Sequence, residues 1–329
     1  MKIRSIKIAS ALALVIMGAI ACKKIDKGFL SDTIRYKDND IYAKRGMTLT
    51  LSDRINADGS TPPFEFEMIN FRDVLTGAPV PEEFYKKYEI TTFKNGMTFN
   101  AATDTTVALL NAKRETVLRA PMEFNPISGQ LAFNRASAYL PLGVYVFDLK
   151  ATNSFGTKTY PSFARINVIE PSIEDVFQIT YQAASGSSDA EAFTTIKPPR
   201  LTCTKISNDG ARVILKITDK NGVAFNPANG EVVKRGDRPT FESHAKFNPV
   251  LPTDTALICD YEVAPFPLVK YITPTTDWGY LIYYRIPKRF ASIDGVPNNN
   301  VNPVFGFRVL MEGTYVVEVK LTDVTRLPQ

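Results

Sequence analysis

The chain has 329 residues, 44% of them hydrophobic, with 39 Lys and Arg against 34 Asp and Glu for a formal charge of +5. Three of the basic residues, Lys2, Arg4 and Lys7, stand at the very start; without them 36 basic residues face 34 acidic ones, and no basic face of the kind that holds nucleic acid is marked out. The length suffices for two domains, and past residue 22 no long hydrophobic run returns, which points to a globular body outside the membrane.

Behind the basic start, Ile8 to Ala21 is an uncharged, largely apolar run that ends in Gly18-Ala19-Ile20-Ala21 and then Cys22. It matches a signal-peptide core and falls short of the roughly 20 apolar residues that span a bilayer. The cysteine set directly behind small residues, with Lys23-Lys24 after it, resembles a bacterial lipobox, with Ala19 where the motif usually has Leu. The resemblance implies cleavage after Ala21 and acylation (palmitate) of Cys22, each buried methylene adding roughly 0.8 kcal/mol of membrane affinity. A plain signal peptide would show the same small residues with no need of the cysteine. On the lipobox reading residues 1–21 are the signal peptide, and residues 22–45 are the lipidated cysteine and a polar tether that becomes a first edge strand. Acidic residues after the cysteine mark surface export in some bacteria. Here only Asp26 stands among lysines, which leaves the membrane face open.

From Met47 onward the pattern is that of short strands. Thr48-Leu49-Thr50-Leu51 alternates, Ala57-Asp58-Gly59-Ser60 reads as a turn, and Phe64, Phe66 and Met68 share one face opposite Glu65 and Glu67. That acidic pair is expected on a solvated strand face. Pro79 to Tyr88 reads as a short helix, with proline near its start and acids in the first turn. After a hairpin-type turn at Lys94-Asn95-Gly96, short strands are expected up to Leu118, and Asn125 to Leu131 is a turn feeding a strand. Leu140 to Asn153 is the most regular segment: Tyr145, Phe147 and Leu149 alternate with Val146, Asp148 and Lys150. It resembles a late strand of immunoglobulin-like domains, in which a tyrosine near a corner bonds back to the chain. Thr157–Ile169 is the expected last strand of this half, and Glu170-Pro171-Ser172 reads as a linker.

The second half repeats that segment. Gly313-Thr314-Tyr315-Val316-Val317-Glu318 aligns with the stretch from Gly143 at an offset of 170. Further strands are expected at 177–182, 200–206, 212–218, 257–263, 279–286 and 304–311, with Asp219-Lys220-Asn221-Gly222 as a hairpin turn. Ala183–Glu191 and Asp294–Pro303 are expected as loops, and Phe225–Lys246 as a polar excursion. The 22 prolines argue against a helical chain. The fold class is therefore all-β: two tandem immunoglobulin-like β-sandwich domains, at 46–171 and 172–329, after a cleaved lipoprotein signal peptide. The second domain lacks a strand after the repeated segment and must close its sheet differently.

His244 is the only histidine, which almost removes Ser-His-Asp, Cys-His and multi-histidine zinc sites. No nucleophile elbow, phosphate-binding loop or calcium loop is written in the chain, so neither a metal nor a cofactor is expected. Cys203 and Cys259 remain after Cys22; a disulfide or two buried thiols are equally compatible with an exported protein. The densest aromatic stretch is Asp277-Trp278-Gly279-Tyr280-Leu281-Ile282-Tyr283-Tyr284-Arg285. As one strand it would place Trp278, Tyr280, Ile282 and Tyr284 on a common face, a platform for sugar rings with Asp277 beside it and Tyr261, Phe266 and Tyr271 in support. The competing reading is a central strand buried on both faces.

The lead Lys24 to Tyr36, followed by Ile41-Tyr42-Ala43-Lys44-Arg45-Gly46, is similar to an uncharacterised Bacteroidota outer-membrane lipoprotein family encoded beside SusC/SusD-like polysaccharide-uptake systems. By analogy with SusE/SusF, the resemblance implies a non-catalytic lipoprotein that holds polysaccharide at the outer membrane next to a TonB-dependent transporter. Two other readings stand beside it: a structural lipoprotein docking on a transporter or other envelope partner, and a carboxylate-dependent glycoside hydrolase, for which no acid pair is marked out.

Overall fold

A computed structural model describes residues 28–327; the leader and Cys22 lie outside the described residues. Almost all regular structure is strand, and the molecule is an all-β protein. The first half carries β1 (Asp40–Lys44), β2 (Leu49–Leu51), β3 (Glu65–Asp73), β4 (Tyr88–Phe93), β5 (Arg114–Arg119), β6 (Met122–Phe124), β7 (Leu131–Asn134), β8 (Gly143–Asn153) and β9 (Gly156–Ile169). A four-stranded sheet β1-β9-β8-β3 faces a three-stranded sheet β2-β7-β6. Period-two alternation explains why: Tyr145, Phe147 and Leu149 of β8 and Phe66 of β3 turn to the same apolar cluster as Leu131 and Phe133 of β7. Glu65 and Glu67 are exposed, and Glu67 pairs with Lys150 at 2.8 Å, as a solvated face requires.

Two local expectations are corrected here. The tether is shorter than its polarity suggests, because Ile34 and Tyr36 are core residues and β1 pairs in parallel with β9. The turn at Lys94 to Gly96 does not close a tight hairpin. β4 pairs β5 across an excursion that contains a helix, α1 (Val107–Ala112), capped by Thr106 Oγ1 accepting from the Leu109 N–H.

The second half carries β10 (Phe177–Ser187), β11 (Phe193–Ile196), β12 (Arg200–Ser207), β13 (Arg212–Thr218), β14 (Val233–Lys234), β15 (Leu251–Pro252), β16 (Leu257–Asp260), β17 (Tyr271–Ile272), β18 (Asp277–Gly279), β19 (Leu281–Arg285), β20 (Ala291–Ile293), β21 (Asn300–Val309), β22 (Thr314–Lys320) and β23 (Val324–Arg326). Two five-stranded sheets, β11-β10-β21-β19-β14 and β12-β22-β13-β16-β15, enclose a second apolar cluster. Phe305, Phe307 and Ile282 meet Val213, Leu215, Val317 and Val319 there. Fully burying a side chain of this size contributes roughly 1.5–3 kcal/mol. The segment 183–191, expected as a loop, is strand up to Ser187, because β10 continues along both β11 and β21. The expected loop 294–303 likewise yields its last four residues to β21.

The repeated segments behave alike. Tyr145 Oη donates to Pro141 O at 3.2 Å and Tyr315 Oη to Glu312 O at 3.3 Å, a return bond at the same corner. Their neighbours differ. β8 lies between β9 and β3, whereas β22 is flanked by β12, antiparallel, and β13, parallel. The chain then closes with β23 paired to β20, so the sheet is completed by earlier strands.

Cys203 and Cys259 are free thiols. They lie on β12 and β16, with β22 and β13 between. Three strand spacings of about 4.8 Å put them far beyond disulfide reach. Burial pushes both thiols up to about 12. His244 is buried on a short helix, α2 (Phe241–His244), and its ring faces the carbonyls of Leu281 and Val269. Burial, its largest influence, depresses its pKa. Among the described residues no group of three His, Cys, Asp or Glu side chains is placed to hold a metal, and no helix is long and apolar enough to cross a membrane.

Candidate functional site: the Trp278 cleft

The aromatic stretch is not one strand. Gly279 sits at φ +59°, in the left-handed region open to glycine, and ends β18 one residue before β19 begins. β18 pairs with β17 in a small ribbon, while β19 enters the large sheet between β14 and β21. The break re-phases the side chains. Ile282 and Tyr284 turn into the core, and Trp278 instead meets Tyr283 edge to face, with ring centres 5.6 Å apart and planes at 84°.

The expected platform therefore comes apart. Tyr284 is 3% exposed; its hydroxyl donates to Glu242 Oε2 at 2.7 Å and accepts the Phe241 N–H at 3.1 Å. Tyr261 is 5% exposed, stacks on Phe266 and points its hydroxyl at the carbonyls of Met311 and Gly313. Tyr261, Tyr284 and Phe266 are core residues with no ligand surface. Tyr280 is half-buried under the guanidinium of Arg308, 4.9 Å from its ring centre. Tyr271 lies beside His244. Asp277 is exposed; it accepts the Gly279 N–H at 2.8 Å and pairs with Lys270 at 3.8 Å, holding the ribbon turn.

Trp278 alone of the predicted set reaches a cleft. It is half-buried and walls a space of about 490 Å³ together with Glu191, Arg235, Gly236, Asp237, Arg238 and Arg285. That size falls within the range of roughly 300–1,000 Å³ in which small ligands are held. Its parts come from three places. Arg235 to Arg238 form a turn after β14, closed by the Arg238 N–H on Arg235 O at 3.4 Å. Pairing of Val233 with Arg285 and of Lys234 with Tyr284 lays that turn across β19, and the Tyr283 N–H on Pro239 O at 2.8 Å fixes its exit. Arg285 ends β19, and Glu191 comes from the β10–β11 connection.

A buried polar chain orients Arg285. Its Nε donates to Asn302 Oδ1 at 2.9 Å; Asn302 Nδ2 donates to Ser187 Oγ at 2.9 Å; both partners are fully buried. Glu191 Oε1 takes a second bond from Arg285 Nη2 at 2.6 Å. Arg238 lies over two rings, its Cζ 5.2 Å from the centre of Tyr283 and 5.9 Å from that of Trp278, and Arg235 lies 4.9 Å from the ring centre of Phe193. Burial, followed by the charges of Arg238 and Arg285, holds Arg235 below the ordinary guanidinium range. Arg285 closes the aromatic stretch in the sequence, whereas Arg235 and Arg238 carry no local signal of a site. The run Lys234-Arg235-Gly236-Asp237-Arg238 is visible in the chain, but nothing local to it brings it to Trp278, 40 residues later.

No family model matches the chain, and no curated protein matches it. Among solved structures it is similar to a SusE-like surface-located polysaccharide-binding protein from the Bacteroides thetaiotaomicron heparin utilisation locus, at 10% identity and a TM-score of 0.23. The match covers 88% of this chain and 53% of that one, so the chain spans about half the length of its structural neighbour.

Proposed function

We propose that this chain is a non-catalytic glycan-binding lipoprotein, tethered to the outer membrane through Cys22 as an accessory to polysaccharide uptake. The observation that carries the binding reading is Trp278: a half-buried indole on the wall of a cleft that also presents guanidinium and carboxylate groups. An apolar ring face packs on the C–H face of a sugar while neighbouring polar groups take its hydroxyls, and a rigid sandwich holds the loops that carry them. Of the two carboxylates on the lining, Glu191 is engaged by Arg285, an arrangement that suits holding a ligand better than proton transfer.

The test is affinity electrophoresis of the full-length protein, solubilised in detergent, against a panel of soluble polysaccharides. Retardation by at least one member, abolished in Trp278→Ala with the fold intact, is the expected result; free migration in every gel would end the glycan reading and favour docking on an envelope protein. The anchor is tested separately. Metabolic labelling with an alkyne fatty acid should mark the wild-type protein and leave Cys22→Ser unmarked; label on both would refute lipidation at Cys22.

A further inference from the structure

Three guanidinium groups converge on the Trp278 cleft, and among the described residues one of them is ion-paired. Arg285 is neutralised by Glu191 at 2.6 Å. Arg235 and Arg238 make no ion pair among the described residues; each rests on an aromatic face instead, Phe193 for Arg235, Tyr283 and Trp278 for Arg238. The remaining carboxylate of the lining, Asp237, is exposed on the turn between them and is likewise without an ion-pair partner. Half-buried like charges in one cleft repel one another, and the repulsion is relieved by an anion. Arginine suits that task better than lysine. A guanidinium attracted to a ring still has N–H donors to offer, and that planar fork matches a carboxylate or sulfate through two parallel hydrogen bonds. The Arg235–Arg238 turn is pinned at both ends by β14 and by Pro239 O, so the backbone that carries the two forks is in place before binding.

We propose that the ligand of this cleft is an acidic glycan, with a carboxylate or sulfate substituent held between Arg235 and Arg238 and its sugar ring against Trp278. The proposal rests on the glycan reading above and narrows it to anionic polymers. The net charge of the body is close to neutral, so selectivity comes from this cluster and not from a general attraction of the molecule for polyanions.

Calorimetric titration of the full-length protein in detergent, with two matched pairs of polymers, decides it: polygalacturonate against its methyl ester, and dextran sulfate against dextran. One acidic polymer should bind, with its neutral counterpart at least ~10-fold weaker, and which acidic member binds distinguishes carboxylate from sulfate. Arg235→Gln and Arg238→Gln should each weaken that binding ~10-fold and flatten its salt dependence, while Lys37→Gln, on an exposed lead residue, changes neither. Circular dichroism melts of the variants guard against loss of fold. Equal binding of a neutral polymer and its acidic match would overturn the proposal and leave the glycan reading standing. Acidic binding that ignores both arginine substitutions would overturn it as diffuse polyanion attraction. Silence from all four polymers would overturn the acidic-ligand proposal, and retardation of the wild-type protein by a neutral member of the polysaccharide panel would then leave the glycan reading standing alone.

Discussion

Replacing Trp278 by alanine removes the apolar wall of the cleft, an edge contact with Tyr283 and the stacking of Arg238, none of them in the two apolar clusters. Glycan retardation should therefore fall ~10-fold or more, about 1.4 kcal/mol, with a melting temperature near wild type. Tyr284→Phe should do the reverse. It deletes a buried hydroxyl that donates to Glu242 and accepts from the Phe241 N–H, which should cost about 1–3 kcal/mol in denaturant unfolding while glycan affinity stays put. The cysteines give a chemical check on the absence of a bridge. With both thiols pushed up to about 12 by burial, iodoacetamide at pH 8 should spare Cys203 and Cys259 in the native protein and label both in denaturant without reductant. Labelling that requires reductant would mean that they are bridged after all. At this scale the chain was partly legible. The aromatic density around Trp278 was plain, but which rings stay outside depended on the positive φ of Gly279, and a glycine in a strand-like run does not announce its dihedral.

Among the elements, the repeated Gly-x-Tyr strand shows how far a local pattern reaches. Both copies begin at a corner tyrosine that bonds back to the chain, yet β8 and β22 have different neighbours. At the second corner, Gly313 holds φ +147°, and a Cβ there would lie 2.9 Å from Ser207 O. Gly313→Ala should destabilise by about 1–3 kcal/mol, read as a lowered unfolding midpoint at unchanged slope. The closing strand β23 hangs on two buried carboxylates. Glu231 takes both Arg326 Nε and Nη2 at 2.7 Å, and Asp219 accepts the N–H groups of Arg326, Asn221 and Val223. Burial raises each carboxyl, but these donors outweigh it and leave both below the ordinary range. A carboxylate depressed in the folded state stabilises fully above its unfolded value, about 4, and loses that contribution as pH falls through the folded one. The melting temperature should thus drift down below about pH 6.5, where the unfolded chain protonates His244 and the buried ring resists, and drop more steeply below about pH 4 as these two carboxylates protonate. Glu231→Gln should be less stable at pH 7 and show a shallower acid loss.

For the whole molecule, the two apolar clusters are joined by apolar and polar contacts: Phe99 lies edge-on to Phe247 with ring centres 6.3 Å apart, and Met47 packs against the second cluster. Arg135 pairs with Glu312 and Lys44 with Asp175, and the Tyr88–Tyr139 stack lies beside the first pair. Glu312→Ala would strand a largely buried guanidinium and should lower stability by about 1–3 kcal/mol. Calorimetry of that variant beside wild type should read the loss as a lowered unfolding midpoint. From the amino-acid chain alone the strand-rich class and the inward faces of β3 and β8 are legible, and the single histidine almost removes a histidine-based catalytic set, because period-two alternation and composition are local properties that survive any arrangement of the strands. The burial of Tyr261 and Tyr284, the three strand spacings between the cysteines, and the turn after β14 that brings Arg235 and Arg238 to the Trp278 cleft came from the fold. Those outcomes depend on which strand pairs with which and in what register, and pairing is a long-range choice made by burial of whole faces.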